Sequence, residues 1–161
     1  MSKKLSFTLL KNPVHFLALG FGSGLAPKAP GTFGTLMVVP IYLLIKDLEL
    51  SVYITIVAAA TIAGIYICDR SSKLLGVHDH PGIVWDEFAG FLITMIAVPF
   101  DWIWLLLGFL LFRFFDIVKP WPIKPVDANM QGGLGIMMDD VIAGILAAMS
   151  LHLIIWLSSY V

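Results

Sequence analysis

The chain has a single cysteine, Cys68, in 161 residues. An intramolecular disulfide is therefore excluded. Charge is also scarce. Asp, Glu, Lys and Arg make up 13% against 59% hydrophobic residues, where a soluble domain averages about 25% and 45–50%. The net charge of −1 excludes a basic footprint for nucleic acid and a polybasic membrane anchor. There is no low-complexity tail and no long linker. The start does not read as a cleaved leader, because Gly and Pro soon interrupt the apolar stretch after Lys3, Lys4 and Lys11. Three phosphate chemistries are missing as well. No G-x-x-x-x-G-K-[ST] loop can be drawn. The residue six after Cys68 is Leu74, not Arg, so there is no Cys-x5-Arg nucleophile loop. No Asp-x-Asp-x-[Thr/Val] segment supplies an aspartyl nucleophile.

What is present is apolar sequence in blocks, with a mean hydropathy of +0.93. Five segments stand out: residues 33–45, 52–68, 88–100, 102–115 and 141–157. Each exceeds an ordinary strand and carries helix formers, so each predicts a helix. Pro40 predicts a kink in the first, and Asp101 punctuates the third and fourth. The expected fold is all-α: one compact bundle over residues 1–161, with about five short membrane-inserted helices. Only the second and fifth segments come near the roughly 20 residues a perpendicular span needs. The others must draw in flanking residues, thin the bilayer or span it in part.

Charge placement orients the bundle. With the N-terminus in the cytoplasm, Lys3, Lys4, Lys11, Lys28, Arg70, Lys73, Lys119 and Lys124 share one side, and Lys46 alone lies opposite. The polar motifs then gather on the cytoplasmic face.

Two acidic clusters lie at the mouths of apolar segments: Asp86-Glu87 and Asp139-Asp140. A lone buried carboxylate is costly unless paired, protonated or metal-bound. Oxygen-only ligands suit Mg²⁺, which also engages phosphate. The alternative for the second cluster is N-capping of the helix that follows. The two clusters share an echo, D-x-x-A-G, in Asp86–Gly90 and Asp140–Gly144. Asp and Gly then lie about one turn apart on one helix face, which suggests two half-sites facing one another.

Three further stretches carry polar chemistry. Residues 20–35, G-F-G-S-G-L-A-P-K-A-P-G-T-F-G-T, combine glycines with Ser23, Lys28, Thr32 and Thr35. Gly22 and Gly24 allow close backbone approach to a phosphate. The alternative is a helix-breaking loop with glycines for packing. Residues 76–90 bring His78, Asp79 and His80, which can ligate metal, move protons or simply be solvated. Residues 112–123 bring Arg113, Asp116 and Lys119. Arg113 and Asp116, spaced i, i+3, can pair with each other, and Lys119 is placed to meet a phosphate.

Taken in order, G-F-G-S-G-L-A-P-K-A-P-G-T-F-G-T, G-V-H-D-H-P-G-I-V-W-D-E-F-A-G, F-R-F-F-D-I-V-K-P-W-P-I and G-G-L-G-I-M-M-D-D-V-I-A-G resemble the phosphatidylglycerophosphatase A family of bacterial inner-membrane lipid phosphatases. The resemblance covers most of the chain. It implies Mg²⁺-dependent hydrolysis of phosphatidylglycerophosphate to phosphatidylglycerol and inorganic phosphate. The family's acidic positions fall on Asp86, Glu87, Asp116, Asp139 and Asp140. All five are expected as metal ligands, with Asp86, Glu87, Asp139, Asp140 and His78 catalytic. Gly22, Ser23, Gly24, Lys28, Thr32, Thr35, Arg113 and Lys119 are expected to hold substrate. The expected partners are the lipid substrate and the bilayer, and assembly into a homo-oligomer is compatible with the sequence. The competing reading is an ion-coupled transporter using the same carboxylates. A CDP-alcohol phosphotransferase is disfavoured, because its D-G-x-x-A-R block is absent.

Overall fold

Local chemistry sets the helix ends. Asn12 accepts a hydrogen bond from Val14 N, and Pro13 takes the first helical position of α1 (Pro13–Ala18). A 3-10 turn follows over Gly20–Leu25. Pro30 starts α2 (Pro30–Ile45), which runs on through Pro40. The next helix, α3 (Leu50–Leu75), ends on Gly76 in the left-handed region at φ 71°, whose N–H reaches back to Ser72 and Lys73. α4 (Trp85–Thr94) is only 10 residues long. Asp101 caps α5 (Trp102–Val118) by accepting from Ile103 N at 2.9 Å. α6 (Ile123–Asn129) is a short connector before α7 (Gly132–Ser158).

The computed structural model describes residues 5–160, so Lys3 and Lys4 lie outside the described residues. No strand occurs among those described, in keeping with the all-α expectation. The five apolar segments become α2, α3, α4, α5 and α7, with altered bounds. α3 extends past Cys68 through Asp69, Arg70 and Lys73, and α7 begins nine residues before Val141. Residues 95–100 are not helical, so α4 stops well short of Phe100.

α4 is the hub. It packs most closely on α7 and also against α2, α3 and α5. Its residues Glu87–Leu92 are all buried, as expected of a short apolar helix held inside a bundle rather than facing lipid. Tyr42, Phe91, Phe112, Met137 and Leu151 fill the core.

The α4–α7 approach is fixed by glycine. A Cβ on Gly144 would overlap the carbonyl of Gly90, and one on Gly90 would meet Phe112 and the carbonyl of Asp140. These glycines are the last letters of the two D-x-x-A-G echoes. Crossing there brings the Asp one turn earlier on each helix to a common end of the bundle.

The outward faces are apolar. Ile62 and Tyr66 on α3, Leu106, Leu110 and Phe114 on α5, and Met149, Leu153 and Trp156 on α7 are exposed. α3 and α7 are the two described helices long and apolar enough to cross a membrane. At 26 and 27 residues they run about 40 Å, against a hydrocarbon core of about 30 Å.

Candidate active site

The backbone before α4 is braced from two sides. Val84 N donates to Ala18 O at 2.8 Å, and Gly24 lies so close to Gly82 that a Cβ there would overlap the Gly82 carbonyl. This delivers Asp86 and Glu87 to the first turn of α4, where the helix dipole favours anions.

Across from them stand Asp139 and Asp140 of α7, both buried. They lie two turns inside the helix, which already starts at Gly132. N-capping is thereby excluded as their role. The glycine-rich approach reads as a loop, yet Gly133 and Gly135 are helical because each is pressed onto backbone. A Cβ on Gly133 would strike Ile65 O, and one on Gly135 would meet Met130 O at 2.5 Å. Tertiary packing here overrides the low helix propensity of glycine.

One ligand oxygen each from Asp86, Glu87 and Asp140 falls within a 4.8 Å cluster that could hold a metal ion. The cluster has the mark of an ion site in its unmet hydrogen bonding. Asp86 Oδ1, Glu87 Oε2, Asp139 Oδ1 and Asp140 Oδ2 are buried without a partner. Groups of this kind are normally satisfied, because desolvation is otherwise uncompensated. A set of carboxylate oxygens is the donor chemistry of a hard divalent cation. Burial pushes the Glu87 carboxyl up to about 8, helped by the charge of Asp140 and opposed by Arg113. Asp86 is also raised, by burial first and by Glu87 next.

Two cations flank the acids. Arg113 Nη1 lies 2.7 Å from Asp116, 3.8 Å from Glu87 and 3.4 Å from Thr35 Oγ1, to which it donates. The i, i+3 pair foreseen for Arg113 and Asp116 thus exists, and the guanidinium also reaches beyond it. Lys119 Nζ sits 2.6 Å from Asp139 and 2.8 Å from Asp127. Burial pulls the Lys119 ammonium down, but the two carboxylates outweigh it and hold it above the ordinary lysine range.

The Gly-rich stretch divides in two. Ser23 donates its hydroxyl to Gly20 O at 2.8 Å, and Gly20, Gly22 and Gly24 pack against Val84, Leu10 and Gly82 respectively. That half braces the approach to α4. The other half touches the acids. A Cβ on Gly31, at the start of α2, would overlap Glu87 Oε1 and crowd the Arg113 guanidinium. Thr32 follows in the same first turn, Thr35 is buried and donates to Gly31 O at 3.0 Å, and Lys28 is exposed.

The histidines serve as hydrogen-bond acceptors. His78 Nε2 accepts from Gly132 N at 2.8 Å, and His80 Nδ1 from Gly82 N at 3.0 Å. Asp69 Oδ1 accepts from Gly133 N at 3.2 Å, while Lys73 holds its other oxygen at 2.7 Å. Side chains from α3 and from the His-Asp-His loop therefore cap α7. Asp69 and Gly31 are the contributors that sequence reading missed. Asp69 shows only an i, i+4 match to Lys73, and Gly31 is one glycine among many. A cleft lined by His78, Asp79, Asp127, Met130 and Asp139 leads to the Asp139 side of the cluster.

The family model described as phosphatidylglycerophosphatase A matches residues 16–155. Phosphatidylglycerophosphatase A of Escherichia coli (strain K12) is 47% identical, over 90% of this chain and 85% of its own length. The Haemophilus influenzae protein of the same name is 46% identical over 90% and 88%. A Bacteroides thetaiotaomicron relative, provisionally named a phosphatidylinositol-3-phosphatase, is 39% identical over 80% and 85%. No solved structure matches the chain. With the model spanning all four polar stretches and relatives matching along nearly the whole chain, this protein belongs to the phosphatidylglycerophosphatase A family.

Proposed function

We propose that this protein hydrolyses the terminal phosphate of phosphatidylglycerophosphate, giving phosphatidylglycerol and inorganic phosphate, with Mg²⁺ as cofactor. The observation that carries the reading is the set of partnerless buried carboxylate oxygens between Arg113 and Lys119, in a chain whose 46–47% identical relatives bear that enzyme name. Asp86, Glu87 and Asp140 would hold the ion, with Asp139 and Asp116 completing the acidic wall. When bound, Mg²⁺ offsets charge on the phosphoryl oxygens and positions a nucleophilic water.

The protein's own groups do the rest. Arg113, Lys119 and the first turn of α2 at Gly31 and Thr32 bind the phosphate, with Thr35 steadying the guanidinium. Gly22, Ser23, Gly24 and Lys28 shape and charge the rim. A carboxylate of the cluster takes a proton from the attacking water, whose oxygen bonds to phosphorus in line as the bond to the glycerol oxygen breaks. His78 has Nε2 committed to Gly132. The proton that the carboxylate took from water therefore passes on to the leaving oxygen, and His78 anchors the start of α7 beside it.

The setting is a membrane. Only 22% of the most apolar window in α3, and 22% in α7, is buried inside the protein, whereas a core helix of a soluble protein would be mostly covered. Apolar faces this open match a lipid solvent. The positive-inside bias then turns the site toward the cytoplasm, with Lys46 at the other end.

The test is phosphate release in detergent with Mg²⁺ and then with EDTA. Phosphatidylglycerophosphate is compared with phosphatidylinositol 3-phosphate. Release from the first that stops on chelation supports the reading. No release from folded protein in either condition would set it aside and bring ion-coupled transport forward.

A further inference from the structure

We propose that an acyl chain of the lipid substrate lies in the apolar groove between α2 and α5, which makes this groove the element that selects a diacyl phosphate over a soluble one. The proposal rests on the lipid-phosphatase reading of the site.

The groove is lined by Leu36 and Val39 of α2 and by Trp102, Leu105, Leu106 and Phe109 of α5. Its position is set by helical spacing. Arg113 and Thr35, which touch at 3.4 Å, mark where α2 and α5 meet at the acidic cluster. Counting back along α5 from Arg113, Phe109, Leu106, Leu105 and Trp102 are i−4, i−7, i−8 and i−11. These positions form one face of a helix. On α2, Val39 is i+4 from Thr35, on the same face one turn further on. The groove is thus the direct continuation of the Arg113–Thr35 contact, reaching roughly 16 Å along α5 at about 1.5 Å per residue.

Polarity changes along this line as it does along a phospholipid. Arg113, Thr35 and Glu87 lie at one end, and no lining residue of the groove is polar. α2 and α5 are not among the closely packed helix pairs, so the cleft between them stays open. Leu105 is buried at its base, while Leu36, Leu106 and Trp102 are exposed at its edges. An acyl chain seated there stays in apolar surroundings and gains packing contacts with Leu105 and Phe109 that a water-soluble phosphomonoester, having no chain, cannot make.

The experiment is cross-linking in mixed micelles with phosphatidylglycerophosphate carrying a diazirine on one acyl chain. Phosphatidylcholine with the same labelled chain is the control. The expected result is adducts at Leu36, Val39, Trp102 or Leu106 from the first lipid, displaced by unlabelled phosphatidylglycerophosphate and at least about tenfold weaker from the second. Filling the groove with Leu106→Trp should raise KM about tenfold or more while kcat changes less than about twofold, the signature of lost ground-state binding. Equal labelling by both lipids would reduce the groove to ordinary lipid-facing surface. Labelling elsewhere, or an unchanged KM in folded Leu106→Trp, would also overturn the proposal. Failure of the phosphatase reading itself would appear separately, as wild-type protein that releases no phosphate.

Discussion

Replacing Asp140 by Asn should invert the order of stability between wild type and variant when Mg²⁺ is added. Asp140 is 2% exposed, its Oδ2 has no partner, and it lies within 4.8 Å of Asp86 and Glu87 ligand oxygens. At that separation, two ionised carboxylates in an effective dielectric of about 20 repel by about 3.5 kcal/mol. Metal-free protein evades part of this by sharing protons. The Asn amide keeps the shape, removes one charge and can donate to a neighbouring carboxylate. Relief of one unsatisfied buried group is worth about 1–3 kcal/mol. At about 2–4 °C per kcal/mol for a chain of this size, Tm in EDTA should rise by roughly 2–12 °C. Mg²⁺ at about 1,000 times its Kd should then stabilise wild type by about 4.1 kcal/mol and the variant hardly at all. Phosphate release by the variant should fall about 100- to 1,000-fold, the scale for losing a preorganised electrostatic group. The assay is thermal unfolding in detergent, with EDTA and with Mg²⁺, beside phosphate release. An active variant whose Tm tracks wild type in both conditions would refute the assignment of Asp140 to the ion.

Three further outcomes are expected. Gly90→Ala places a Cβ against Phe112 and the Asp140 carbonyl, so it should cost about 1–3 kcal/mol by overpacking and lower activity with it. Unchanged Tm and activity would argue against the tight α4–α7 crossing. Glu87 is held near 8 against the usual 4.5, so its contribution to metal-free stability is full below pH 4.5 and is lost as pH rises through about 8. Ion binding needs the ionised form. The Mg²⁺-induced rise in Tm should therefore grow from about pH 6 to pH 8, and a flat profile would contradict this. For His78, Gln can still accept from Gly132 N, whereas Ala cannot. If the ring's main work is to anchor α7, His78→Gln should keep most of the activity that His78→Ala loses. Equal losses, with the basic side of the pH–rate profile altered, would favour proton delivery.

The helical class was legible because five apolar segments exceed strand length, and their helices are α2, α3, α4, α5 and α7. Their ends were less legible. Hydropathy stops at Cys68, but α3 continues through Asp69 and Lys73, which pair on an exposed turn. Residues 95–100 are apolar yet non-helical, with Ala97 at φ 56° and only Met95 buried; composition alone does not distinguish an apolar turn from a helix.

The sequence by itself determined the helical class and the family. Four polar stretches hold six of its 11 acidic residues, and carboxylates beside apolar runs point to a cation. The D-x-x-A-G echo even forecast that two helices face one another. Tertiary structure decided which groups meet. Asp139 and Asp140 lie inside α7 rather than at its start, because Gly133 and Gly135 are helical where α7 presses on neighbouring backbone. Gly31 rather than Gly22 or Gly24 abuts Glu87, and Asp69 caps a helix 64 residues away. A glycine has the same local preference wherever it stands. Whether it serves a turn, a close crossing or a ligand is settled only by the backbone brought against it from elsewhere in the chain.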